Sequence, residues 1–338
     1  MAKRKKKNSV VGLDLGTQSV KAVAMSRNGD SLMVTGCAYE SVEDPSLYDA
    51  AIKGAISSAA GGKLGGRKIV IGFSGKSALL QTIVLPGDVE DMEAAVSEEA
   101  EKYIPYDISE AQIDYHVFEG DGGLVKALLV AVRQQDIEDK LEILFSAGVV
   151  PAQIGVELVA LANALETANL DGSLVGEGKA AGMVDFGAAK TLIAVSDGEN
   201  NIFREFPVGG ISLTEMIAQR LSCDMAEAER LKLEPGEQMD QVKDAIYPGI
   251  EDITAEIRSC LDAYKGASGG REVEQVFISG GLVAFPGVAP LISRLIKVEA
   301  RVFSPFGSVD ASKADEELID AHGHELAVAF GLACHARD

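Results

Sequence analysis

Short apolar runs that stop at glycine or an acid alternate with longer stretches that are apolar at every third or fourth residue. The first pattern predicts strands and the second amphipathic helices. Residues 10–25 and 31–39 read as strands about an Asn28-Gly29-Asp30 turn. Asp44-Pro45-Ser46 opens a helix to about Ala60, which Gly61-Gly62 and Gly65-Gly66 close. Ile69–Phe73 and Leu79–Leu85 are strand runs, so the opening order is β-β-β-α-β. From Pro86 the character changes to an acidic helix over Asp88–Tyr103, broken by Ile104-Pro105-Tyr106. Strands over 113–118 and 125–132, across Glu119–Gly123, and a helix over 135–147 complete an α-β-β-α unit with its own charge pattern. A strand over 152–156 and a helix over 158–167 follow, then a glycine-rich joint at 172–182 that predicts the main boundary.

The opening pattern then recurs. Val10–Leu15 delivers Asp14 into Gly16-Thr17-Gln18-Ser19, and apolar residues resume after Lys21. Met183-Val184-Asp185-Phe186-Gly187-Ala188-Ala189-Lys190-Thr191 repeats this, with its Asp 171 residues after the first. An internal repeat of this size decides the fold before local detail does. A third strand over 202–206 follows the Asp197-Gly198 turn. Helices over 211–221 and 225–233 and a long one within 240–264 come next. Then come a strand 276–279 ending in Gly280-Gly281, a helix 288–295, a strand 300–303 and an apolar helix 325–336.

Composition narrows the function classes. The 338 residues suit two domains, and 47% hydrophobic content with no Trp predicts aliphatic cores. A net charge of −21 argues against a broad nucleic-acid surface. Lys3-Arg4-Lys5-Lys6-Lys7 departs from this, since the remainder carries 26 basic against 52 acidic residues. That tail is either a disordered solubilising end or a weak contact for anionic membrane, worth about 1 kcal/mol per basic residue. No signal peptide or transmembrane run is expected, and the four scattered cysteines read as buried thiols of a cytoplasmic protein. His322 and His324 read as exposed members of a polar joint.

The candidate chemistry lies in the repeat. Free backbone N–H groups of a small-residue turn can cradle an anion. Asp14 can hold a hydrated Mg²⁺, which keeps several waters and one or two carboxylates. Lys21 can return to the phosphates as a point charge. Asp14 and Asp185 alternatively cap turns and do nothing more. Glu157 is either a site acid or a helix-opening acid favoured by the dipole. Glu229 and Lys232 are either ligand contacts or a solvated pair on one helix face. Tyr103-Ile104-Pro105-Tyr106 is either core filler or part of a partner groove.

Two Asp-x-Gly hairpins plus Ser279-Gly280-Gly281-Leu282 resemble the actin/Hsp70/sugar-kinase ATPase superfamily. The resemblance implies an α/β, actin-like two-lobed fold with duplicated RNase H-like halves. It implies that Asp14, Gly16, Thr17, Gln18, Ser19 and Lys21 form the first phosphate hairpin and Asp185, Gly187, Ala188, Lys190 and Thr191 the second. Asp14 and Asp185 then hold Mg²⁺, and Ser279, Gly280, Gly281 and Leu282 form the adenosine motif. Glu157 becomes the acid that positions water, and Glu229 and Lys232 reach ribose and adenine. Gly209 and Gly210 join this ATP site. The second turn has Ala188-Ala189-Lys190 where the superfamily more often has small hydroxylated residues. Lys190 therefore either adds a phosphate contact or sits outside the cradle, and hydrolysis is expected to be slow or absent.

Glu98–Ile108, Leu128–Val132, Val208-Gly209-Gly210 and Ser304-Pro305-Phe306-Gly307 resemble a narrower group, the PilM family, FtsA-like cytoplasmic proteins of type IV pilus machines. That resemblance runs in order from about Val10 to Ala336. It implies an inserted subdomain of SHS2 type at about 80–150, a first lobe over 10–180 and a second over 181–321. Helix 322–338 completes the first lobe, and 1–9 is the basic tail. It further implies docking of the N-terminal segment of a PilN-like bitopic membrane protein on the insert, with Tyr103, Ile104, Pro105 and Tyr106 at the contact. Other pilus inner-membrane components, a related type II secretion role and self-association belong to the same expectation. The chain would then be cytoplasmic and peripheral to the inner membrane. Two other classes compete. A small-molecule kinase needs a base for the acceptor hydroxyl, and no such motif follows Val156. An FtsA-like polymerising ATPase ends in a linker and an amphipathic basic helix, whereas Leu326–Leu332 is apolar.

Overall fold

In the computed structural model the first apolar run becomes β1 (Ser9–Leu15), which turns back at residues 16–18 into β2 (Ser19–Asn28). The structure describes residues 9–28, 31–62, 67–74, 77–118, 123–169, 172, 174–176, 179–197 and 200–334. The basic tail at 3–7, the turn glycines Gly29, Gly65, Gly66 and Gly198, residues 119–122 and the end of the last predicted helix lie outside the described residues. The chain divides into one unit of Met1–Gly72 with Pro151–Asp338 and another of Phe73–Val150.

The larger unit holds two five-stranded sheets of matching order. The first runs β3 (Ser31–Ser41), β2, β1, β4 (Lys68–Phe73), β8 (Gln153–Val156). The second runs β11 (Asn201–Phe206), β10 (Thr191–Ser196), β9 (Ala180–Phe186), β12 (Val273–Gly280), β13 (Glu299–Val302). In each, three antiparallel strands are followed by a parallel neighbour, as in β1 with β4 and β9 with β12. The registers match too. Leu15 pairs with Val20 and Phe186 with Thr191, so both turns have the same length.

Helices cover these sheets. In α4 (Glu157–Ala168) Leu158, Leu161 and Ala164 are buried, and α10 (Ala327–Ala333) is buried along its length. α10 packs against β1 and α4 through glycine. A Cβ on Gly331 would fall 1.7 Å from the Ala160 carbonyl oxygen, and one on Gly12 would fall 2.1 Å from that of Ala329. Helix α7 (Met239–Ala267) buries Val242, Ile246, Ile250, Ile253, Ile257 and Tyr264 at helical spacing against the second sheet. Each such aliphatic side chain contributes roughly 1.5–3 kcal/mol. One helix was not expected. α9 (Glu316–His322) begins at Asp315, whose carboxylate accepts from the Leu318 N–H at 3.1 Å.

The smaller unit is a three-stranded antiparallel sheet ordered β5 (Ala78–Pro86), β7 (Leu124–Arg133), β6 (Ala111–Val117). The strand expected at 79–85 thus pairs with β7 and belongs to this unit, giving it one strand more than the α-β-β-α reading. Helix α2 (Met92–Ala100) is shorter than expected, because Asp91 caps it by accepting from the Ala94 N–H at 3.0 Å. Ile83, Leu85, Val96, Ala100, Ile104 and Leu129 make its core. Helix α3 (Gln134–Ser146) packs on β7 and leaves Ile143 and Phe145 exposed. Among the described residues no helix is long and apolar enough to cross a membrane.

Candidate functional site

The first hairpin sets two charges opposite each other. Asp14 and Lys21 are cross-strand partners, and Lys21 Nζ donates to Asp14 Oδ2 at 3.2 Å. Only 12% of the Asp14 side chain and 13% of that of Lys21 are exposed. Burial opposes the Lys21 charge, but Asp14, Asp185 and Glu325 outweigh it and hold the ammonium above its ordinary pKa. Thr17 and Gln18 are exposed at the tip, and Ser19 is buried. The Gly16 carbonyl accepts from the Tyr48 hydroxyl at 3.1 Å, which anchors the turn to α1 (Tyr48–Ala59).

The second hairpin is anchored differently. The Gly187 carbonyl accepts from Gly210 N–H at 2.9 Å and that of Ala188 from Ile211 N–H at 2.8 Å, where α5 (Gly210–Leu221) begins. Gly209 fits because a Cβ there would lie 2.5 Å from the Gly187 oxygen. Asp185 accepts from Ser279 Oγ at 2.8 Å. Burial pushes the Asp185 carboxyl up to about 6, and Asp14 and Glu325 add to this against the pull of Lys21 and Ser279. Asp14, Asp185 and Glu325 therefore share one field centred on Lys21.

Two members of this turn do other work. Thr191 is fully buried and donates its hydroxyl to the Val208 carbonyl at 2.7 Å. Lys190 reaches Glu157 Oε2 at 2.6 Å and Glu205 Oε2 at 3.1 Å. Burial opposes its charge, but Glu157 and then Glu205 outweigh this and raise its pKa. Glu157 opens α4 and is 6% exposed. A Cβ on Gly72 would meet its Cγ at 2.8 Å, so the glycine leaves room for the acid.

Beyond the hairpins, Gly280 has φ +86, and a Cβ there would fall 2.3 Å from the Phe186 carbonyl oxygen. Gly281 follows with its backbone close to Glu325, while Leu282 is buried in the core. On α6 (Met225–Leu233), Lys232 is 5% exposed and donates to Gly210 O at 3.2 Å, Thr214 Oγ1 at 2.8 Å and Glu229 Oε2 at 2.6 Å. Glu229 keeps 40% of its side chain exposed. Lys232 is thus committed to a buried network, and Glu229 is the member open to solvent.

Four participants escaped the sequence reading: Glu325, Tyr48, Thr214 and Glu205. Each reaches its place from a distant element, so no local spacing announces it. His322 is also no simple exposed residue. Its ring stacks on Tyr39 at 4.1 Å and its Nδ1 lies 2.9 Å from Glu325 Oε1. In the smaller unit Ile104 is buried core, Tyr103 and Pro105 are exposed, and Tyr106 lies half-buried under the Arg133 guanidinium at 4.4 Å.

Two sheets of one topology, each presenting an Asp-bearing hairpin, define the actin-like ATPase fold. Residues 12–337 match the family described as type IV pilus assembly protein PilM, and the chain belongs to that family. It is similar to the solved PilM-PilN type IV pilus biogenesis complex, at 26% identity and TM-score 0.81 over 97% of this chain and 98% of that one. It also shares its fold with the ethanolamine utilization protein EutJ from Carboxydothermus hydrogenoformans (18% identity, TM-score 0.54, 96% and 89% covered). MreB5 of Spiroplasma citri bound to ADP shares the fold too, at 12% identity and TM-score 0.50 over 96% and 94% of the two chains.

Proposed function

We propose that the chain is a nucleotide-holding scaffold of a type IV pilus assembly complex. ATP lies between the turns at 16–19 and 187–190, and the residue 73–150 unit receives the N-terminal segment of a PilN-like membrane protein. The lobes are 10–180 and 181–321, with the chain after 322 returning to complete the first. The observation that carries the nucleotide reading is the field around Lys21. Asp14, Asp185 and Glu325 are kept close together and largely out of water, an arrangement that costs stability and that a function would retain. Glu229 meets the ribose side, and Gly280 with Gly281 offers backbone without a side chain to the base.

The donor set suits a hydrated Mg²⁺. Among the described residues no three His, Cys, Asp or Glu side chains close into a metal cage, and Mg²⁺ asks only for one or two carboxylates beside waters and phosphate. Asp14 and Asp185 would hold it through water, and the ion would neutralise phosphate charge. Lys21 stays paired with Asp14 and presents the remaining positive charge. Thr191, Leu282 and Lys232 support the walls of the cleft, since all three are buried.

The partner reading draws on the similar PilM-PilN complex, whose identity to this chain extends over nearly its whole length. Tyr103 and Pro105, exposed beside the buried Ile104 anchor, suit an apolar peptide contact. Calorimetry with MgATP tests the first half: binding to the natural chain and none to a folded Asp14→Ala variant is expected. Unchanged affinity in that variant removes the assignment. Capture of a PilN-like peptide by Tyr103→Ala tests the second half, and undiminished capture counts against it.

A further inference from the structure

The two turns have equal length and register, so they can be compared residue by residue. Lys190 holds the place in the second that Ser19 holds in the first. A short hydroxyl has become a long cation. Its ammonium does not stay over the turn. It crosses to Glu157 on α4 at 2.6 Å and to Glu205 on β11 at 3.1 Å. The side chains of Glu157 and Glu205 are 8% and 12% exposed. Removing a partner from a carboxylate this deep is costly, so the pairing is a fixed part of the fold.

We propose that Lys190 is a positioning residue that restrains Glu157 and thereby slows hydrolysis of a bound nucleoside triphosphate, leaving the cleft a holder of nucleotide. This rests on the nucleotide reading of the cleft. In hydrolysis a water oxygen bonds to the terminal phosphorus. The bond from that phosphorus to the bridging oxygen breaks with its electron pair left on the diphosphate. The water proton passes to a base. The resemblance to the actin/Hsp70/sugar-kinase superfamily implies that Glu157 is the acid at that water. An ammonium at 2.6 Å from Oε2 holds that oxygen and fixes the orientation of the carboxylate, so it cannot turn freely to a water. The restraint also ties the second hairpin to α4, which follows the last strand of the first sheet.

The test compares phosphate release from MgATP by the natural chain, Lys190→Met and Lys190→Met/Glu157→Gln, with MgADP affinity measured by calorimetry on each. Lys190→Met is expected to turn over about a hundredfold faster, the low end of what a freed general base supplies. Its MgADP affinity should stay within about threefold, so that the change falls on turnover and not on binding. The double variant, neutral at both positions, should return to the natural rate or below. A Lys190→Met rate within about twofold of natural overturns the restraint. So does a double variant that stays fast. If the natural chain binds neither MgADP nor MgATP, the nucleotide reading fails and the restraint falls with it. Binding without acceleration removes the restraint alone. Should Lys190→Met fail to fold, Lys190→Met/Glu205→Gln, which removes one of the two buried carboxylates that lose their cation, is held to the same criteria.

Discussion

Asp185→Asn is expected to stabilise the protein at neutral pH. The carboxyl is pushed from an ordinary 3.8 up to about 6, mainly by burial. The folded state therefore binds this proton more tightly than the unfolded chain does. Between those two values the native form holds more protons, so this group's contribution falls as pH rises through the interval and is fully unfavourable above 6. A shift of about two units corresponds to a cost of about 3 kcal/mol at pH 7.5 and about 1.5 kcal/mol at pH 5. Asparagine keeps an oxygen for Ser279 Oγ and removes the charge. Its amide NH₂ replaces a buried carboxylate oxygen and needs a partner of its own, so the full cost is a ceiling and a gain of about 1–2 kcal/mol is expected at pH 7.5. The chain has no Trp, so urea unfolding is best followed by circular dichroism at both pH values. The variant should be the more stable at pH 7.5, and its advantage should shrink by about 1 kcal/mol at pH 5. A variant less stable than the natural chain at pH 7.5 would show that the buried Asp185 charge carries no net cost. So would an advantage that does not change with pH.

The other predictions concern single contacts. Gly280→Ala places a Cβ 2.3 Å from the Phe186 oxygen at φ +86, so a loss of about 3 kcal/mol or more is expected and a thermal melt will read it. Thr214→Val removes an acceptor from buried Lys232; about 1–3 kcal/mol of stability should go, and denaturant titration that finds no loss contradicts the network. Tyr103→Ala should lower peptide capture with an unchanged melt, because the residue is exposed and outside the core. Substituting Tyr106→Leu should weaken the smaller unit by about 0.5–1 kcal/mol through loss of the Arg133 contact, visible as a lower urea midpoint.

Much of this architecture was readable because its signals are local. The two hairpins announce themselves by apolar runs ending in Asp-x-Gly, and their spacing implies duplicated halves. The apolar positions of α7 repeat at helical intervals through Pro248. Other features depend on contacts that no local pattern records. The strand 78–86 has the same composition whichever sheet it joins, and only pairing with β7 assigns it. Glu325 looks like an ordinary acid before an apolar helix, yet the fold carries it to Lys21 and Gly281. Thr191 reads as a small hydroxyl in a phosphate turn. Strand register turns it inward to Val208. Lys190 shows the same limit from the other side, since its two carboxylate partners lie 33 and 15 residues away.

A crystal structure grown with MnADP would show whether the cleft between the two hairpins holds nucleotide, because the ion is visible by its own scattering. The diphosphate is expected between the turns 16–19 and 187–190, the ion within reach of Asp14 and Asp185 through water, and the base beside Gly280 and Gly281. Diphosphate density at any other place, or none in a chain saturated with MnADP, would contradict this placement.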